Sequence, residues 1–586
     1  MFNGLGNTSP KNVLKNTMSS ASLNYSSYSV LPFHSFLFLI GLLTFIFLST
    51  SSAQNLKISP GGIYKHEENT WQELLREQEE APSSPEIETP TQESPPKKNA
   101  PDQHQKTFKV KRFEVSSSEL LTDKEIASII KPNENKDLST SEIKQVVDDF
   151  NELYAKKGHP TARAFLGSKK IRNGIVKIRL VEAKVGKLQI KGREDISADF
   201  IRKRVDHHKG ETLSVPKLEE DLIRFNRLTE ANVRAKLAPG ASFGTTDIVL
   251  DIIEPKPYQL SLFADNAGRK TVGRFRQGAY FKAPNILGRN DPLSIIADRS
   301  RGSHSYSLSY SVPLNAQGLR LETSWSDSEI EVVESPYEHL DITGDFSELT
   351  IGLLYPFFVN TKAHWSAYTR FSRSWSESYS QGIKQQDLTL DIYTVGVTGS
   401  IYDNNGRWHT EQSLHLATEE KDVFYYSGSL TRWQRLTDRF TMLMSCAAQY
   451  APAERALPSS EQFQVGGSNT VRGFSEGALG GKSGYYVNLE LRHPLWRTSD
   501  GMLSDKAGDS LEGFVFIDHG AAFPFRGDNG NTHHEDFISS AGLGTRLNIS
   551  NRITGRLAFG FYLDKNERDP DPEFPWIHFA VQARCF

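Results

Sequence analysis

Residues 465–494 read VGGSNTVRGFSEGALGGKSGYYVNLELRHP. The pair Gly466-Gly467 lets the backbone turn through conformations that other residues avoid. Val471-Arg472 and Gly473-Phe474 then present a single guanidinium beside a glycine. Gly477, Gly480 and Gly481 are expected to let the chain double back. The strand that follows places Tyr485, Val487, Leu489 and Leu491 on one face and Tyr486, Asn488, Glu490 and Arg492 on the other. Alone, this is an ordinary glycine-rich loop between two strands. Some 20 residues further on, Phe514-Val515-Phe516-Ile517-Asp518-His519-Gly520 is an apolar strand interrupted by one carboxylate. A buried, unpaired carboxylate is costly, and guanidinium makes the firmest fork with it, so Arg472 is the expected partner of Asp518.

The motif Val471-Arg472-Gly473-Phe474, followed by Phe516-x-Asp518-x-Gly520, resembles the BamA-like superfamily of outer-membrane protein transporters. Within it the chain looks like the two-partner secretion transporters, which include the haemolysin-activator and filamentous-haemagglutinin transporters. The resemblance implies a mainly β fold, with a C-terminal transmembrane β-barrel of sixteen antiparallel strands. Two α+β polypeptide-transport-associated (POTRA) domains and a short N-terminal plug helix precede it. It further implies a place in the Gram-negative outer membrane, POTRA domains in the periplasm, and a barrel inserted into lipid by the barrel-assembly machinery. The partner would be a secreted exoprotein, recognised in the periplasm and passed unfolded through the pore (type Vb secretion) without a nucleotide.

Composition is compatible with this. The chain has 586 residues, 68 basic against 71 acidic, so nothing points to a nucleic-acid partner. A mean hydropathy of -0.47 argues against a bundle of membrane helices but not against a barrel, whose strands hide their apolar residues in alternation. The two cysteines, Cys446 and Cys585, share parity with lipid-facing residues of different strands, so free thiols are expected.

Taken in order, residues 1–53 read as a leader: Phe36–Leu48 is too short for a comfortable membrane span, and Ser51-x-Ala53 supplies a cleavage site. A signal anchor is the competing reading. Residues 54–80 hold the capping box Thr70-x-x-Glu73 and an amphipathic turn with Trp71, Leu74 and Leu75, which the resemblance identifies with the plug helix. Residues 81–106 are a linker rich in proline, serine, glutamate and lysine, too polar to bury anything.

Residues 107–183 read β-α-α-β-β, with Thr122-x-x-Glu125 capping one helix and Ile143, Val146, Val147, Phe150 and Tyr154 striping the next. The order repeats over 184–257, where Ser197 is a possible cap and Pro216 starts a helix. Pro239-Gly240-x-x-x-Gly244-x-x-Asp247 matches the second POTRA domain of the family. Each unit offers a sheet edge to which an extended polypeptide could add as a strand.

Residues 258–586 alternate apolar and polar side chains, for example Tyr306, Leu308, Tyr310 and Val312 against Leu319, Leu321, Thr323 and Trp325. At roughly 20 residues per strand and loop this gives about sixteen strands. The terminal Phe586 resembles the aromatic assembly signal of outer-membrane proteins, but it is out of phase with Ile577, Phe579 and Val581. No cofactor or metal pattern emerges: Gly481-Lys482-Ser483 lacks the first glycine of a phosphate loop, and His533-His534-Glu535-Asp536 sits in a polar loop. Enzymatic activity is therefore not expected. An assembly factor for other barrels, or a solute channel, are the alternatives. Two periplasmic units with a tethered helix favour secretion over assembly, and a channel leaves the Arg472 and Asp518 motifs without a role.

Overall fold

The computed structural model describes Lys65, Ile87–Glu88 and residues 107–586, apart from 160, 169–170, 335–336, 420–421, 453–455, 504–507, 526–533, 567–568 and 570–572. The expected leader, the plug helix with Trp71, Leu74 and Leu75, and most of the linker lie outside the described residues.

Strand β1 (Ile87–Glu88) falls within the expected linker. The first α+β unit comprises β2 (Thr107–Val110), β3 (Arg112–Val115), helix α1 (Asp123–Ile130), β4 (Lys136–Ser139), helix α2 (Thr140–Lys156), β5 (Arg163–Leu166) and β6 (Ile175–Val181). Both helices begin with a capping box, Thr122 with Glu125 and Ser139 with Glu142, which satisfies backbone donors that the first turn leaves free. The apolar stripe of α2 is buried against Val176, Ile178 and Leu180 of β6. The apolar positions shift phase between Phe108, Val110 and Phe113, Val115 because the sheet changes: β2 pairs with β4, whereas β3 runs parallel to β6. Strand β4 was not expected, because four residues reading KDLS carry little alternation.

The second unit comprises β7 (Lys184–Lys191), α3 (Ala198–Arg202), α4 (Val215–Leu228), β8 (Asn232–Pro239) and β9 (Thr245–Ile253). Leu218, Leu222 and Phe225 of α4 pack on Val233, Ala235, Leu237, Ile248 and Leu250. Two expectations are corrected here. Ser197 makes no side-chain cap; its backbone N–H donates instead to Gly288 O (2.8 Å), outside the unit. The linker does bury something: β1 adds in parallel to the edge of β8, Ile87 opposite Ala235, and Ile87 packs on the core of the unit. The sheet order is therefore β1-β8-β9-β7.

The Pro239–Asp247 motif supports this sheet. Asp247 accepts the Lys187 N–H (2.7 Å) where β7 bulges between Val185 and Leu188, and Gly244 takes a φ of +78° after the turn that Pro239 and Gly240 begin.

The barrel begins with β10 (Gln259–Asp265), β11 (Arg276–Ala283), β12 (Leu293–Arg299), β13 (Ser303–Pro313), β14 (Arg320–Glu331) and β15 (Ile342–Val359). It continues through β16 (Ala363–Ser380), β17 (Ile383–Asp403), β18 (Gly406–Thr418), β19 (Val423–Arg435) and β20 (Thr441–Tyr450). After a long loop containing β21 (Phe463–Val465) and β22 (Leu479–Gly481) come β23 (Ser483–Arg497), β24 (Ser510–Phe523), β25 (Phe537–Ile549), β26 (Ile553–Tyr562) and β27 (Trp576–Arg584). Every neighbour is antiparallel, and β27 pairs back onto β10 from Ser261–Arg584 to Asp265–Ala580, closing a barrel of sixteen strands. Closure removes the free sheet edges that would otherwise need partners in lipid. Tyr306, Leu308, Ile351, Leu353, Val515 and Ile517 point outward and stay exposed, while Ser305, Ser328, Phe346, Phe516 and Asp518 face the lumen and are buried.

Because β9 runs directly into β10, the second unit sits at the end of the barrel where β10 starts, called here the near end. Its arginines grip the near-end turns through their carbonyls. Arg204 reaches Asn315 O (2.7 Å), Arg224 reaches Gln317 O (2.5 Å) and Pro356 O (3.2 Å), and Arg227 reaches Thr361 O (2.5 Å). Arg227 also lies over the Tyr402 ring, 4.5 Å from its centroid. Replacing Arg224 and Arg227 together by alanine is expected to free the second unit from these turns without unfolding either part. Limited proteolysis should then cut the connection around residues 254–258 at least several-fold faster, and an unchanged rate would mean that the turns do not hold the unit.

The chain ends differently from the expectation. Strand β27 stops at Arg584, Cys585 donates its N–H to Leu260 O (2.7 Å), and Phe586 follows beyond the strand, half exposed. Its side is therefore not set by the alternation of β27. Both cysteines are free.

Candidate functional site on the inner barrel wall

The loop between β20 and β23 departs from the far end and folds back into the lumen. Its two short strands, β21 and β22, pair with each other and lie against β23 and β24. Gly466 and Gly467 turn the chain at φ of +113° and +105°, values that side chains rarely tolerate. Gly480 and Gly481 do not turn the chain as expected. They belong to β22, where a side chain at Gly481 would strike the Phe523 backbone at 2.5 Å. Val471 and Phe474 are fully buried with Val465, Leu479, Ala522 and Ile538, so the loop carries a small apolar core of its own.

This core sets the guanidinium of Arg472 against the wall. Its Nε donates to Asp518 Oδ2 (2.9 Å) and its Nη2 to Asp518 Oδ1 (2.7 Å), a bidentate fork, and its backbone N–H adds a third bond to Oδ2 (3.1 Å). Gly473 is needed for the approach: a Cβ there would come within 2.6 Å of Ser540 Cβ and 2.7 Å of Tyr562 N. The fork rests on the Phe516 ring, 3.5 Å from its centroid, a cation–π contact within a water-poor site. On the far side His578 Nε2 donates to the Arg472 carbonyl (2.8 Å). Gly520, at the end of the wall motif, leaves room for Val465, whose Cγ1 would lie 2.6 Å from an added Cβ.

The pairing is wider than one acid. Arg472 Nη1 donates to Glu490 Oε2 (2.7 Å), and Glu490 also receives Arg492 Nε (2.6 Å) and lies 3.4 Å from Arg546. Asp518 further accepts from Asn488 Nδ2 (2.8 Å) and Ser540 Oγ (3.3 Å). Arg472, Glu490 and Asp518 all have side chains no more than 3% exposed. Burial works against the charge of Arg472, but Asp518 and Glu490 outweigh it and raise its pKa above the ordinary arginine value. Asn488 and Glu490 stand on the polar face of β23, so strand parity alone could have placed them beside Asp518. Ser540 and His578 come from strands with no signal in the motif. With both carboxylates paired to guanidinium groups and held, the cluster is an ionic anchor for the loop tip.

A second lumenal cluster lies toward the far end. Lys65, the only described residue of the expected 54–80 segment, pairs with Glu461 of the long loop (2.7 Å) and Glu348 of β15 (3.2 Å). Glu461 also accepts from Tyr425 Oη (2.7 Å). Burial opposes the Lys65 charge, yet the two carboxylates beside it raise its pKa above the ordinary lysine value. No signal in the sequence pairs these residues. His534, Glu535 and Asp536 form a single 3-10 turn before β25, and no cluster able to hold a metal ion occurs among the described residues.

A closed sixteen-stranded barrel with an inward loop pinned by a guanidinium fork, fed by tandem α+β units, defines an outer-membrane transporter. The family model described as "Haemolysin secretion/activation protein ShlB/FhaC/HecB" matches residues 244–547, and that of the "POTRA domain, ShlB-type" matches 108–183. The chain belongs to this ShlB/FhaC/HecB family of two-partner secretion transporters. It is similar to the outer membrane transporter CdiB of Escherichia coli O6:K15:H31, 23% identical over 412 residues, covering 66% of this chain and 69% of that protein. The heme/hemopexin transporter protein HuxB of Haemophilus influenzae is 22% identical over 489 residues, covering 79% and 84%. The solved structure of CdiB from Escherichia coli shares the fold with a TM-score of 0.67 at 21% identity, over 91% of this chain and all of that one.

Proposed function

We propose that this outer-membrane translocator captures a secreted partner protein in the periplasm through its two α+β units and passes it, unfolded, through the barrel. The single observation that carries the reading is the lumen itself: a loop anchored inside it at Arg472 and a lysine of the N-terminal segment held there by Glu348 and Glu461. The loop is shared across the superfamily, so the lysine occupant of the lumen is what favours a secretion pore over an assembly factor. The units 107–183 and 184–257 are the periplasmic receptors, 258–586 the lipid-embedded barrel, and residues 54–80 the resting plug. Insertion by the barrel-assembly machinery and contact with outer-membrane lipid follow from the same reading, and no catalytic role is assigned.

Recognition rests on strand addition, in which backbone pairing supplies affinity without demanding one sequence. With the β8 edge already taken by β1, the first unit offers an edge at β5, where Phe165 and Leu166 are partly exposed. Deleting residues 107–183 should abolish capture of the partner's N-terminal region in a pull-down while the barrel still inserts. Equal capture by the barrel alone would refute the receptor role.

A further inference from the structure

The seam where the barrel closes is its shortest strand pairing among the described residues. Strands β10 and β27 share five residue pairs, Ser261–Arg584 to Asp265–Ala580, against seven between β10 and β11. Strand β10 ends at Asp265, whereas β27 extends past Ala580 to Trp576 at the far end. Four residues of β27, 576–579, thus rise above the last pair with no length of β10 beside them. A backbone edge left open at membrane depth is costly, because lipid offers it no hydrogen bonds.

One side chain covers that edge. Asn266 Nδ2 donates to Ile577 O (2.6 Å), and its Oδ1 accepts the Phe579 N–H (2.8 Å). Its own backbone N–H donates to Phe579 O (3.3 Å). A carboxamide copies the peptide group, with donor and acceptor in one plane, so asparagine can continue a ladder that its backbone has left. The preceding residue explains why the backbone leaves. Asp265 Oδ1 accepts the Ala267 N–H (2.8 Å) and turns the chain, and Arg276 Nε donates to the same oxygen (3.0 Å). Asp265 and Arg276 have side chains no more than 1% exposed, so water does not compete for that contact. At the near end the Cys585 N–H donates to Leu260 O (2.7 Å), one step beyond the Ser261–Arg584 pair.

We propose that Asn266 is the clamp of the barrel seam, its amide standing in for the missing length of β10, and that the clamped seam stays shut while the partner passes. The inference rests on the translocator reading above and narrows it: the partner leaves along the axis of the lumen, not sideways between β10 and β27. Loosening of the seam would start at its far end, where one residue supplies the bonds.

The test uses the full-length protein. Hydrogen exchange read by mass spectrometry should be several-fold faster at the Phe579 amide in Asn266→Ala than in the unaltered chain. Asn266→Asp, which keeps the acceptor and loses the donor, should fall between the two. In a Cys446→Ser, Cys585→Ser background, Ala264→Cys with Val581→Cys sets two thiols directly opposite each other across the seam. Once oxidised, this lock should return the exchange of Asn266→Ala to the unaltered rate and leave export of the partner unchanged. Unaltered exchange in Asn266→Ala would show that the amide is no clamp. Export that stops on oxidation and returns with reductant would mean that the seam has to open, and the inference would be overturned. If removing the whole chain leaves the partner in the medium, the translocator reading fails, while the exchange rates still decide the clamp.

Discussion

Arg472→Ala is expected to lower export of the partner by one to two orders of magnitude while leaving the barrel assembled. The substitution strips Asp518 of its fork and Glu490 of one of three cations, and it removes the charge that sits on Phe516. Breaking a buried pair of this kind costs ~3–5 kcal/mol, so a loop docked by it would spend far more of its time detached. The two acids are not equivalent. Asp518→Ala leaves Arg472 its contact with Glu490, and Glu490→Ala leaves the whole fork, so the losses should fall in the order Arg472, Asp518, Glu490. The Arg472→Ala, Asp518→Ala double variant should be hardly worse than Arg472→Ala alone, since the interaction is shared. Lysine at 472 should rescue in part, because an ammonium reaches one acid but cannot make the planar fork. The measurement is a double-mutant cycle on partner protein in the medium, with heat-modifiable mobility as the control for insertion. Fully additive losses would mean that the two residues act separately.

The second large effect concerns the pore at rest. Lys65→Glu brings a third carboxylate against Glu348 and Glu461 and should expel the N-terminal segment from the lumen. In planar bilayers the variant should behave like the protein lacking residues 54–80, with several-fold higher conductance or open time. Lys65→Arg, which keeps the charge, should stay closed. Glu461→Gln is the informative partner: it also loses the carboxylate that Tyr425 donates to, so it should open the pore more than Glu348→Gln. If Lys65→Glu and Lys65→Arg conduct alike, the ion pairs do not hold the segment and the plug must be held elsewhere.

Much of this protein is local in origin and therefore legible in one dimension. Period-two alternation gave away the barrel strands, since Tyr306, Leu308 and Val312 must face lipid while the serines between them face the lumen. Helical spacing marked α2, Pro216 the start of α4 and the capping box at Thr122 the start of α1, because each depends on residues close in sequence. The Arg472–Asp518 contact was legible for a different reason: a lone cation on glycine and a lone acid in an apolar strand have few affordable partners.

What escaped the sequence depends on residues far apart in the chain. Glu490 lies 18 positions from Arg472, and Lys65 meets Glu461 across 396. The caps and strands that failed did so for the same cause. Ser197 gives its backbone to a barrel turn at Gly288 rather than its side chain to a helix, and Ile87 finds a sheet edge that only the folded second unit provides. Gly481 looks like a turn residue but is a strand residue that must pass the Phe523 backbone. Alternation, capping and glycine content thus determined that there would be a barrel with α+β units before it. Closure of that barrel decided which charges are brought face to face, because only a sheet returned on itself confines Arg472, Glu490 and Asp518 where water can no longer screen them.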